Sequence, residues 1–309
     1  MMLSRRNFIA AAAVLAAAMP LILRRHKEEP AKTNPEKPSR FAALSAHVAL
    51  LEKQNGGRIG FSLIDTLTGE QQSHRATEHF PMCSTFKFLL CAAVLHAADA
   101  GQLSMGKLVS IPAKLTLDNS PLTELHAGEQ MTLTELCEAA MVRSDNTAAN
   151  LLLDTLGGPA AVTAYARSIG DNETRLDRNE PSLNSSIDGD PRDTTTPASM
   201  AQNLNSIVLK NALQPASRSQ MILWMEDCVT GLERLRKDMP EGWTAADKTG
   251  SNGEHTSNDI AIIWPYGRTT GRAPVIVSVY ITQCPGPESK RNDIFTDIAR
   301  NIRQAIQHS

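Results

Sequence analysis

The distribution of two hydrophobic periodicities along this 309-residue chain constrains its fold more than any other feature. Strand-like alternation stands at both ends, and helical spacing fills the middle. Residues 40–54 carry apolar side chains at helical spacing and stop at Gly56-Gly57, a helix terminus. Residues 58–66 alternate as a strand, Thr68-Gly69 turns, and a second short strand follows. From Ser84 to about Asp227 helical patterns dominate. Phe86 to Ala98 is nearly all apolar, Thr132-x-x-Glu135 is a capping box opening a helix to Arg143, and Pro197 after Thr196 opens another. Three strand-like runs, 243–250, 256–266 and 273–282, and a final helix to about Gln307 close the chain. This layout predicts two domains. One is a sheet domain built from residues 41–76 and 229–309. The other is an all-α domain over 77–228, and the cleft between them is the natural site.

The N-terminus reads as a separate object. Ser4-Arg-Arg-Asn-Phe-Ile9 precedes an apolar run from Ala10 to Leu23, interrupted by Pro20. A basic start before a moderate apolar stretch is an export signal, over residues 1–30, and its paired Arg5 and Arg6 resemble a twin-arginine signal. The alternative is an uncleaved anchor. Residues 31–40 are polar, carry Pro35 and Pro38, and read as a linker. The expectation is a periplasmic protein that meets the export machinery through this segment. With 41% hydrophobic and 21% charged residues the body is ordinary globular material, not a disordered chain. A net charge of −2 gives no electrostatic reason to expect nucleic acid, and 4% aromatics argue against long stacking grooves. Export permits disulfides, but five cysteines leave at least one thiol unpaired. No CxxC, HxH or HExxH spacing occurs, so neither a metal nor a cofactor is expected.

Ser84-Thr85-Phe86-Lys87 opens the apolar segment. A serine on the first turn of a buried helix feels the positive end of its dipole, which favours a developing alkoxide. Lys87 is one turn on, and an apolar setting lowers an amine's pKa enough for it to accept a proton. One S-x-x-K arises by chance in roughly every chain of this size. Ser104-x-x-Lys107 is a second, in a loop flanked by glycines with no helix behind it. Ser144-Asp145-Asn146, at the junction of two helical segments, is by itself equally well a helix N-cap. Lys248-Thr249-Gly250 ends the first strand of the C-terminal group and is by itself an ordinary strand end.

The ordered set of three resembles the S-x-x-K, S-D-N and K-T-G signature of class A β-lactamases and penicillin-binding proteins. A fourth element separates those families. Residues 175–197 read RLDRNEPSLNSSIDGDPRDTTTP, with Glu180-Pro181 and Asn184 inside. Without the other motifs this would be a solvated charged loop; with them it is similar to the Ω-loop of class A β-lactamases, spanning 175–193. The resemblance runs from about Phe41 to the C-terminus and implies the α/β and all-α two-domain β-lactamase/transpeptidase-like fold, an antiparallel sheet flanked by helices plus a helical domain. It implies Ser84 as acylated nucleophile, Lys87 and Glu180 as proton handlers, and Ser144 as the relay to the leaving nitrogen. Glu180 and Asn184 would position the hydrolytic water. Backbone N–H groups of Ser84 and Ser251 would form the oxyanion hole, while Asn146, Lys248, Thr249 and Gly250 line the substrate. Arg178 and Asp193 would close the loop's neck, with a cis Glu180–Pro181 bond. The implied activity is hydrolysis of penicillins or cephalosporins by a monomer, conferring resistance. The alternatives are a D-Ala-D-Ala peptidase and a penicillin-sensing domain that stays acylated, both disfavoured by Glu180 and Asn184.

Departures from the family pattern sharpen the expectations. Asn119 stands where many relatives carry an aromatic at the cleft mouth, and Asn252 where glycine is common. Ser257 occupies a strand position that often holds an arginine for the substrate carboxylate. Arg234 matches the position from which some relatives supply that guanidinium; the alternative is a solvated surface charge. The resemblance also implies a Cys91–Cys137 disulfide, found in part of the family. Cys83 matches a cysteine that carbapenem-hydrolysing relatives bridge to the position of Asn252, so here it is expected free. Cys228 and Cys284 remain unassigned.

Overall fold

Strands from the two ends of the chain do share one sheet, because each end alone supplies too few strands to bury its apolar face. The structure is a computed structural model that describes residues 39–114 and 117–308; the expected export signal and nearly all of the linker lie outside the described residues. Residues from Ser39 onward form one compact unit. Helix α1 (Leu44–Asn55) leads into β1 (Arg58–Asp65), β2 (Gln71–His74) and the short β3 (Phe80–Pro81). The block α2 (Phe86–Asp99), β4 (Leu108–Ser110), β5 (Gln130–Thr132), α3 (Leu133–Val142), α4 (Asn146–Leu156) and α5 (Pro159–Ser168) follows. After a long loop come β6 (Thr194–Thr195), α6 (Pro197–Leu204) and α7 (Pro215–Glu226). The chain ends with β7 (Thr244–Ser251), β8 (Ser257–Trp264), β9 (Val275–Thr282) and α8 (Glu288–Gln307).

The main sheet is antiparallel with order β2-β1-β9-β8-β7, in registers such as Phe61 opposite Val279 and Lys248 opposite Ile260. Strands β8 and β9 are buried at every position, so both sheet faces are covered. Alternation divides the side chains between two cores. Val275, Val277, Val279 and Ile281 pack with Phe61 against α1 and α8. Ile276, Tyr280, Ile260 and Ile262 join the core of the helical block. There α2 is buried from Phe86 through Leu95 and packs against α3, α4, α5 and α7. A helix apolar all round needs such a jacket. Thr132 and Glu135 form the expected capping box, and Thr196 caps α6 with Pro197 at its first turn.

The 175–193 loop contains one short helical turn, Ser182–Asn184, and a cis Glu180–Pro181 bond. At its neck the Asp193 carboxylate accepts from Arg178 Nε at 2.5 Å and from the backbone N–H groups of Asp177 and Arg178. The expected Cys91–Cys137 bridge is not formed. Both are buried thiols, as are the other three cysteines, and the Cys91 S–H is directed at the carbonyl of Cys137, 3.7 Å away. Cys83 is free as expected and lies against Ser186 of the loop. Among the described residues, no helix is long and apolar enough to cross a membrane.

Candidate active site

Ser84 sits in a single helical turn, Cys83–Thr85, immediately ahead of α2, one step before the position its sequence suggests. Lys87, in the first turn of α2, is fully buried, so its ammonium must be satisfied by protein groups. Its Nζ donates to Ser84 Oγ at 3.0 Å, Ser144 O at 2.8 Å and Asn146 Oδ1 at 2.7 Å, and lies 3.1 Å from Glu180 Oε1. Burial lowers the Lys87 pKa, opposed first by the Glu180 charge. Ser84 Oγ is also 3.5 Å from Glu180 Oε1. The nucleophile candidate therefore touches an amine and a carboxylate, each able to handle its proton.

The Ser144-Asp145-Asn146 segment is both a cap and part of the site. Asp145 is the N-cap of α4, and its buried carboxylate also binds the N–H groups of Leu122 and Thr123. This frees Ser144 and Asn146 on either side to face the cleft. Ser144 Oγ lies 3.4 Å from Lys87 Nζ and 3.1 Å from Lys248 Nζ. Two ammonium donors oblige this hydroxyl to accept, which leaves its own proton to point elsewhere. Asn119 departs from the cleft-mouth role of an aromatic, since its Nδ2 turns inward onto the Ser144 carbonyl at 2.9 Å.

Strand β7 forms the opposite wall. Lys248 is buried, donates to Thr249 O and Ser144 Oγ, and burial pushes its pKa down to about 8. A Cβ at Gly250 would lie 2.7 Å from Met82 O and 3.1 Å from Ser84 N, so only glycine lets β7 run this close to the serine turn. Ser251 Oγ is engaged by the β7–β8 turn, donating to Thr256 O and accepting from Gly253 N. Arg234 is buried, contrary to the surface alternative. Its guanidinium donates to Gly250 O, Asn258 O, Asn292 Oδ1 and Glu288 Oε1. Ser257 carries no charge but accepts from the buried Arg291 Nε at 2.9 Å, an arginine that α8 supplies.

On the loop side, Asn184 Nδ2 donates to Glu180 Oε2 at 2.6 Å. Asn184 Oδ1 is buried with no donor among the described residues, so an acceptor stands beside the carboxylate. Sequence reasoning missed Asn150, which clamps the Glu180 backbone from both sides. Its Oδ1 accepts from Glu180 N at 2.9 Å, and its Nδ2 donates to Glu180 O at 3.0 Å. The available signal was its spacing, four residues after Asn146 on one face of α4.

The site is equipped for acyl transfer through a serine, with a buried carboxylate 3.5 Å from its hydroxyl. The comparisons with known proteins agree. The Beta-lactamase enzyme family matches residues 43–306. Beta-lactamase CTX-M-8 of Citrobacter amalonaticus is 46% identical over 82% of this chain and 86% of its own length. Beta-lactamase L2 of Stenotrophomonas maltophilia is 44% identical over 97% of this chain and 98% of its own. Among solved structures, the ancestral (GNCA) class A β-lactamase superposes with a TM-score of 0.81 at 50% identity, covering 85% of this chain and 99% of that one. A β-lactamase from Xanthomonas campestris gives 0.83 at 44% identity, over 87% and 99%. The chain belongs to the β-lactamase enzyme family, as a class A enzyme.

The Asn150 clamp yields a direct expectation. Asn150→Leu unties Glu180 N and O at once and should lower kcat by about 10- to 100-fold, the worth of two hydrogen bonds to a buried segment. Steady-state hydrolysis by a variant of unchanged far-UV spectrum checks this, and a parental kcat would show that the loop holds Glu180 without Asn150.

Proposed function

We propose that the chain hydrolyses the β-lactam amide through an acyl-enzyme on Ser84, which water activated by Glu180 then releases. The observation that carries this reading is the position of Glu180 Oε1, 3.1 Å from Lys87 Nζ and 3.5 Å from Ser84 Oγ. In acylation, Ser84 Oγ attacks the carbonyl and its proton passes to Glu180, or to Lys87 once that amine has given a proton to Glu180. The backbone N–H groups of Ser84 and Ser251 receive the oxyanion. Ser144, accepting from two lysines, hands its own proton to the leaving nitrogen and takes one back from Lys87. In deacylation, a water donating to Glu180 and to Asn184 Oδ1 attacks the ester. Asn146 faces the substrate's side-chain amide. Lys248 and Thr249 hold its carboxylate beside Gly250, and Arg234 reinforces that end by fixing the Gly250 carbonyl.

Glu180→Ala separates this from the peptidase and sensor readings. The purified variant should react with a penicillin yet accumulate an adduct of full drug mass, absent in Ser84→Ala, while the parent turns over nitrocefin. Parental turnover by the variant removes Glu180 from the mechanism, and a parent that stays acylated for hours is a sensor or peptidase.

The Lys248 ammonium sets a pH expectation. With its pKa pushed down to about 8, it is charged below that pH and neutral above it. Binding of the substrate carboxylate therefore weakens as pH rises, and kcat/KM should show a basic limb near pH 8, since that ratio reports the free enzyme. A limb at the same pH in Lys248→Arg, whose guanidinium stays charged, would assign it to another group.

We also propose export to the periplasm by the twin-arginine route, and action as a monomer. Replacing Arg5 and Arg6 together by lysine should leave the activity in the cytoplasmic fraction. Unchanged periplasmic activity would point to a different route.

A further inference from the structure

Behind Thr249 lies a line of hydrogen-bonding groups that the reaction as described does not use. Thr249 Oγ1 is 2.5 Å from Thr230 Oγ1, and Thr230 Oγ1 is 3.2 Å from Cys228 Sγ. Cys228 and Thr249 are buried, and Thr230 is exposed at the rim. Their segment is pinned to β7. A Cβ at Gly231 would lie 1.9 Å from Asp247 Oδ2, and Arg236 Nη1 reaches Asp247 Oδ1 at 3.1 Å. That register puts Thr230 on Thr249.

We infer that Thr230 is a positioning residue for the substrate carboxylate, donating its proton to Thr249 Oγ1 while accepting from the Cys228 thiol. This rests on the proposed role of Thr249. The argument is one of proton direction. A hydroxyl carries one proton, so Thr249 can donate to an anion only if its contact with Thr230 is one in which it accepts. Thr230 must then donate inward to Thr249, which leaves its own lone pairs for the S–H. The opposite direction would aim Thr249 lone pairs at the anion and repel it. Cys228, whose thiol also contacts the Asp247 side chain, suits the far end because it stays protonated. Burial first, and then the Asp247 charge, push its pKa up. The line thus runs from thiol to hydroxyl to hydroxyl to carboxylate.

The test is steady-state kinetics on a penicillin with a free carboxylate. Thr230→Val keeps the shape but removes the donor, and its rim position makes it a mild change. KM should rise about 5-fold with kcat nearly unchanged, as for loss of one hydrogen bond felt equally in ground and transition states. Thr230→Ser should restore the parental KM. Cys228→Ala should raise KM by a smaller factor, and add nothing in the Thr230→Val background, because the line is already broken. An unchanged KM in Thr230→Val beside a raised KM in Thr249→Val overturns the inference and leaves Thr249 in its role. Unchanged KM in both removes the carboxylate role of Thr249, and the inference with it. A fall in kcat at constant KM, or no rescue by serine, likewise overturns it.

Discussion

The site depends on the burial of one ammonium. Lys87 lies on a helix that is apolar on every side, with no access to water, and an unpaired charge there would be destabilising by several kcal/mol. Its partners come from separate parts of the chain: Ser84 before α2, Ser144 and Asn146 around the start of α4, and Glu180 from the long loop. Satisfying the charge is therefore the same act as assembling the site. Folding around Lys87 brings the hydroxyls and the carboxylate to hydrogen-bonding distance of one nitrogen.

That assembly requires backbone conformations that the residues would not choose alone. Cys83, Asn119, Ser144 and Asp193 all have positive φ, between 43° and 58°. Non-glycine residues there cost of order 1–3 kcal/mol each and persist only where their surroundings over-determine them. The surroundings are visible. Met82 N donates to Asp193 O, Asn119 Nδ2 and Asn146 N tie Asn119 to the Ser144 turn, and Asp145 anchors that turn to Leu122 and Thr123. The chain turning at these residues brings the Ser84, Ser144 and Glu180 side chains within reach of Lys87 Nζ.

Much of this was legible in the sequence, for reasons that differ by element. The strands β8 and β9 declare themselves through β-branched runs, and α3 through its capping box, because local chemistry decides both. The four motifs show which residues meet, since each carries its chemistry within a few positions. Asn150 escaped because its partner, the Glu180 backbone, has no sequence signature. The inward turn of Asn119 and the full engagement of Arg234 escaped for a related reason. Both depend on acceptors, the Ser144 and Gly250 carbonyls, whose direction only the folded chain defines. The missing Cys91–Cys137 bond shows that adjacency in the core and covalent pairing are separate matters.

The placement of negative charge completes the logic of the cleft. A carboxylate touching Lys248 would neutralise the cation meant for an anionic ligand. Instead Lys248 bonds only neutral oxygens, of Ser144 and Thr249. The nearest acidic groups of the strands, Asp247 and Asp259, are buried against the 228–236 segment, where they engage Arg236 and the N–H of Leu235. Burial raises the pKa of both, and the Arg236 charge opposes this at Asp247. A group that is desolvated and flanked by Lys87 holds its proton less tightly, and Lys248 is lowered accordingly. An approaching carboxylate supplies the counter-charge the fold withholds, which makes its binding favourable at the one place where the substrate must be held.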